Sequence, residues 1–106
     1  MKKFVLVDLT DSETFDTETE ARQRLAEWAD YARKTRADAR ADADADEIAR
    51  WDAEDRYYAE NDDIAGQIRL YAVDLDVYDG DPCAMPDDTL DGCERLDTIT
   101  YRYMGE

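Results

Sequence analysis

The chain has 106 residues, a formal charge of −16 and no histidine. That length suits one small domain, residues 1–106, with one modest core. The lack of histidine excludes a His-based triad, a His metal ligand and a His proton shuttle, and the acidity argues against direct nucleic-acid binding, because phosphate would repel it.

Residues 4–9 (FVLVDL) are aliphatic on both faces and predict a strand buried on both sides. The start, MKKFVLVDLT, has too short an apolar run for a signal peptide, and no run approaches the ~20 residues that span a bilayer. The expectation is a soluble cytosolic protein without a membrane partner. Residues 10–16 (TDSETFD) read as a polar turn. Thr17 and Glu20 then form a capping box. Ala21, Leu25, Trp28, Ala29 and Ala32 recur at helical spacing and predict an apolar face. This helix balances its charges, with Glu18 and Arg22, Glu20 and Arg24, and Asp30 and Lys34 at i, i+4.

A second helix is centred on Ile48, Trp51, Asp55 and Tyr58, with Asp44 as cap and Gly66 as stop. The joint over residues 35–44 is open: alanine favours one long bent helix, and the Asp/Ala alternation could fray. Residues 67–75 (QIRLYAVDL) read as a strand with Tyr71, Val73 and Leu75 on one face and Ile68, Leu70 and Ala72 on the other. A long acidic loop follows, broken by Gly80, Pro82, Pro86 and Gly92. Residues 96–103 alternate again, with Ile99, Tyr101 and Tyr103 on one face. The order is β-α-α-β-β. The expected fold is α+β, a three-stranded antiparallel sheet covered on one face by two helices.

Two segments carry the excess charge. Residues 38–63 hold eleven acids and three bases, and residues 74–97 hold nine acids and one base. Residues 1–37 are nearly neutral, at −1. Asp38, Asp42 and Asp46 stack at i, i+4, i+8, which costs a helix a few tenths of a kcal/mol per pair. Asp46 with Arg50 and Asp52 with Arg56 are paired, but most acids there lack a base at i+4. As one helix, residues 38–63 would span ~39 Å, or one acid per roughly 3.5 Å. A single DNA strand carries one phosphate per ~3.4 Å.

The stretches ARADADADEIARWDAED and DLDVYDGDPCAMPDD, with the small size and the lack of histidine, give the chain its resemblance to small acidic inhibitors of phages and mobile elements, the anti-CRISPR and antirestriction class. The resemblance is one of composition and carries no family motif. It implies a DNA mimic in the host bacterial cytoplasm, seated in the basic DNA-binding groove of a nuclease or CRISPR complex. The expected partner-binding residues are Asp38, Asp42, Asp44, Asp46, Glu47, Asp52, Glu54, Asp55 and Tyr57, with Asp74, Asp76, Tyr78, Asp79 and Asp81 from the loop. Tyr57 and Tyr78 are expected at the surface, and the helix and loop are expected to form one negative surface. Neutralising Asp42, Asp46, Asp52 and Asp55 is expected to weaken binding and spare the fold.

The alternative is a salt-adapted or GC-biased acidic protein-binding domain without mimicry. Asp outnumbers Glu twenty to nine and Arg outnumbers Lys ten to three, as in salt-loving organisms. Salt adaptation should acidify the whole surface, which the neutral first third opposes. The spacing of Asp74, Asp76, Asp79 and Asp81 around Gly80 does not fit an EF-hand, so no metal or cofactor is expected. Catalytic motifs are absent, and no enzyme is expected. Cys83 and Cys93 are read as free thiols, with a disulfide between them the alternative. The second helix has a thin apolar face, so a homodimer could cover Trp51 or Tyr58.

Overall fold

The computed structural model describes residues 1–81 and 85–100. The elements are β1 (Lys2–Val7), β2 (Ser12–Phe15), α1 (Glu18–Asp42), α2 (Ala45–Glu60), a 3-10 turn (Ile64–Gly66), β3 (Gln67–Asp74) and β4 (Cys93–Thr100). All strands pair antiparallel in one sheet, in the order β2-β1-β3-β4. The class is α+β as expected, but the sheet has four strands, not three. The added strand is β2, inside the segment read as a polar turn. It turns back through residues 8–11, where the Asp8 carboxylate accepts from the backbone N–H groups of Thr10 (2.9 Å) and Asp11 (2.7 Å). β2 is a short edge strand tied to the core through Phe15. Pro82, Cys83, Tyr101 and Tyr103 lie outside the described residues, and with them the disulfide reading.

β3 is buried on both faces for seven of its eight residues. On one side Leu6, Ile68 and Leu70 pack against Ala21, Leu25 and Ala29 of α1, and Trp28 and Ala32 join them. Thr17 caps that helix: its Oγ1 accepts from the Glu20 N–H at 3.2 Å, and its hydroxyl, not its backbone N–H, donates to the Glu20 carboxylate at 3.2 Å, so half of the capping box forms. On the other side Val5, Val7, Tyr71 and Val73 pack with Tyr78, from the loop after β3. Thus α1 covers one face and the loop covers the other.

The second helix reaches the sheet at β4, but its one buried residue, Asp55, faces α1 and not a strand. α1 is 25 residues, or ~37 Å, whereas β3 is 8 residues, or ~26 Å. The last turns of α1 therefore run past the sheet, and α2 folds back along them to the start of β3. Together they form a projecting arm, and the molecule measures 50 × 25 × 17 Å. The single ~39 Å rod over residues 38–63 is thereby replaced by a hairpin. Its break lies at Ala43, which is extended (φ −89°, ψ 152°), followed by Asp44 as the cap of α2. α2 ends at Glu60, not at Gly66. Asp62 takes a left-handed φ of 50°, and the Asp63 N–H donates to the Tyr58 carbonyl at 3.0 Å, which closes a Schellman-type stop. Gly66 serves another need: a Cβ there would stand 2.5 Å from the Cβ of Tyr58.

Candidate functional site

The arm is built unlike the rest of the molecule. The only buried residue of α2 is an acid, Asp55, at 8% exposure. Its partner is Arg36, nineteen residues earlier on α1. One turn further along the seam, the Arg40 guanidinium donates to Asp52 at 2.8 Å. Burial pushes the Asp55 carboxyl above its ordinary range in spite of Arg36, whereas Arg40 holds that of Asp52 below it. Ile48, Trp51 and Tyr58 are only half-buried. Charged pairs thus hold the seam where apolar side chains usually would.

These pairs redistribute the expected partner-binding residues. Asp55 is not a surface charge, and Asp52 bonds Arg40 across the seam, not Arg56. Both carboxylates face α1 across the seam, so neutralising them changes contacts within the arm as well as its surface charge. Asp46 and Arg50 form no ion pair among the described residues. Asp44 is committed as a cap, accepting from the Glu47 N–H at 2.9 Å. Asp38, Asp42, Asp46 and Glu47 remain exposed and form no ion pair among the described residues. They gather where α1 ends and α2 begins, at the tip. Glu54 is also exposed, along α2.

The tip acids differ in what they do to their helices. Asp46 and Glu47 lie in the first turn of α2, where the helix dipole favours negative charge. Asp38 and Asp42 lie near the C-terminus of α1, where it disfavours them, and they repel each other at i, i+4. Earlier in α1 the pattern is reversed. Arg22 pairs with Glu18 at 2.8 Å and Lys34 with Asp30 at 3.1 Å. Arg24 departs from the expected pair with Glu20 and bridges Glu13 (3.0 Å) and Glu27 (2.7 Å).

The loop acids do not join the tip. Asp74 closes β3 at the end of the sheet opposite the arm, and with Asp76 it binds the N-terminal amine. The Asp76 N–H also donates to the Asp74 carboxylate, which holds that carboxyl below its usual range. Asp79 and Asp81 are exposed. Tyr78, expected at the surface, is 8% exposed, with its hydroxyl accepting from the Asp87 N–H at 2.8 Å. Gly80 lies against that ring, where a Cβ would stand 2.5 Å from Cζ and from the hydroxyl. Asp74 and Asp76 therefore stand apart from the tip, at the far end of β3. Tyr57 is at the surface as expected, at 58% exposure, with its ring edge-on to that of Tyr58 at 5.8 Å.

A further feature escaped the sequence reading. A cleft of about 570 Å³ lies between α1 and the β1–β2 turn, at the root of the arm. Trp28, Tyr31, Asp8, Asp11 and Ile68 are among its lining residues. Tyr31 is 75% exposed. An aromatic standing just off the apolar stripe, three residues after Trp28, is the signal that could have marked it.

Among the described residues, no three carboxylates or thiols come together as a metal-binding cluster, and no helix is long and apolar enough to cross a membrane. Cys93 is half-buried, and burial pushes its thiol up to about 11, so it carries little thiolate at neutral pH. No family model, no curated protein and no solved structure matches this chain.

Proposed function

We propose that the chain is an acidic inhibitor that docks its arm in a basic nucleic-acid-binding groove, as a phosphate backbone would. The observation that carries this reading is the tip. Asp38, Asp42, Asp46 and Glu47 are exposed and form no ion pair among the described residues, whereas Glu18 and Asp30, earlier in α1, each pair with a base. Asp38 and Asp42 stand where they oppose their own helix. Charge kept at a cost to folding suits a role outside folding.

In this reading long-range attraction speeds encounter, and release of counterions from the partner makes binding salt-sensitive. Tyr57, exposed on α2, supplies an aromatic contact of the kind enriched at interfaces. The chain performs no catalysis and uses no cofactor; it excludes DNA from the groove of a bacterial nuclease or CRISPR complex. A homodimer would change how many arms are presented and not their chemistry.

The test is capture from bacterial lysate on the tagged chain, with elution by salt steps and by duplex DNA. A nucleic-acid enzyme retained at low salt, displaced by DNA, and lost with the Asp38→Asn/Asp42→Asn/Asp46→Asn/Glu47→Gln variant is the expected result. Retention of the same proteins by that variant would sink the proposal. Salt adaptation predicts instead a smear of unrelated basic proteins, or none.

A further inference from the structure

The root of the arm offers a second kind of contact. α1 brings Trp28, Tyr31, Ala32, Thr35 and Arg36 to one wall of the 570 Å³ cleft, and the β1–β2 turn brings Asp8, Thr10 and Asp11 to the other. Its two cations are already engaged. Arg24 bridges Glu13 and Glu27, and Arg36 bonds Asp55. The two carboxylates of the turn are not matched in this way. Asp8 accepts backbone and hydroxyl hydrogen bonds through one oxygen, and neither Asp8 nor Asp11 forms an ion pair among the described residues. The mouth therefore combines unneutralised carboxylates with an indole and a phenol.

We propose that this cleft receives an arginine side chain of the protein partner that the arm engages. A guanidinium is planar and weakly hydrated, stacks on aromatic faces, and donates to carboxylates at its edge. Trp28 and Tyr31 supply the faces, and Asp8 and Asp11 supply the acceptors. The cleft lies at the end of the sheet from which the arm projects, so one basic surface can meet both. This inference rests on the proposed function for its choice of partner, but the cleft can be probed by itself.

The probe is N-acetyl-arginine amide, titrated into the full chain at fixed ionic strength and followed by two-dimensional NMR. The indole N–H of Trp28 is told from that of Trp51 with a Trp51→Phe variant. The expected result is a saturable shift of the Trp28 indole and of the backbone amides of residues 8–11. Tyr31→Ala should weaken the probe about two- to fivefold, and Tyr31→Phe should keep most of its affinity. N-acetyl-glutamine amide should leave the cleft unmoved. A linear, unsaturated drift spread over all acidic residues, or equal effects of the arginine and glutamine probes, would overturn the inference. The variant neutralised at the four tip acids should still bind the probe, so failure of the docking proposal and failure of the cleft give different results.

Discussion

The two ends of α1 solve the same problem in different ways. Its first turns bury Ala21, Leu25 and Ala29 against the sheet, and the basic residues there sit in short ion pairs. Its last turns leave Ala37, Ala39 and Ala41 exposed and reach α2 through Arg36 and Arg40. One end is held by removal of apolar area from water, the other by charge across a seam. The first kind of hold is untouched by charge screening and by pH, while the second answers to both. The same helix thus belongs to a body fixed by packing and to an arm fixed by electrostatics.

Cutting into the body should have the largest effect. Leu25→Ala removes a buried side chain from the sheet-facing core and should cost about 3 kcal/mol, seen as a fall of the whole thermal transition by more than about 10 °C. The arm should respond less, and locally. Arg36→Met leaves Asp55 with no facing guanidinium and should cost about 2 kcal/mol, because the seam is partly open to water. The Arg36→Met/Asp55→Leu double variant should recover most of that loss. Hydrogen exchange should show faster opening in α2 for the single variant, with β1 and β3 unchanged. Equal loosening of arm and sheet would erase the distinction between the two regions.

Acid should separate the regions more gently. The Arg95 guanidinium, 2.9 Å from both oxygens of Asp62, holds that carboxyl below its ordinary value of 3.8. Asp62 stops α2 where the arm rejoins the sheet, so its contribution is complete above the ordinary value and is lost as pH falls through the depressed one. Asp55 has the opposite sign. Burial raises its folded-state value above 3.8, so ionising it costs the fold, and that cost disappears as pH falls through the raised value. Thermal melts across this acid range should show Asp55→Asn lacking a gain on mild acidification that the parent chain has. Asp62→Asn should lack part of the loss at lower pH. Identical profiles for both variants and the parent would contradict these assignments.

Much of the body is legible in the sequence because it rests on local rules and apolar periodicity. Thr17 with Glu20 and Asp44 with Glu47 mark both helix starts, and the stripe through Ala21, Leu25 and Ala29 marks the buried face. β2 is harder to read, since Ser12–Phe15 is four residues with one apolar anchor. The arm is harder still. Its contacts join residues 19 and 12 positions apart through charged side chains, and no hydrophobic pattern announces them. The early stop of α2 follows from Asp62 in a left-handed conformation that glycine adopts more readily, and an aspartate there carries no stop signal in the sequence. Tyr78 reads as a loop aromatic, but its ring closes the second face of the sheet. The tip acids themselves are plain in the sequence; which of them face outward depends on the seam.

The proposed docking requires that Asp38 and Asp42, which oppose their own helix, serve something other than folding. The most direct measurement is the unfolding free energy of the parent chain and of Asp38→Asn/Asp42→Asn, in KCl from about 0.1 M to 2 M, beyond the range where screening of exposed charges is nearly complete. Both proteins should be folded at the lowest salt, the parent should gain little above it, and the variant should be at least as stable, by up to about 0.5 kcal/mol. A parent that folds only in molar KCl, or a variant less stable than the parent, would contradict the account and return the acids to the service of solubility or of the fold.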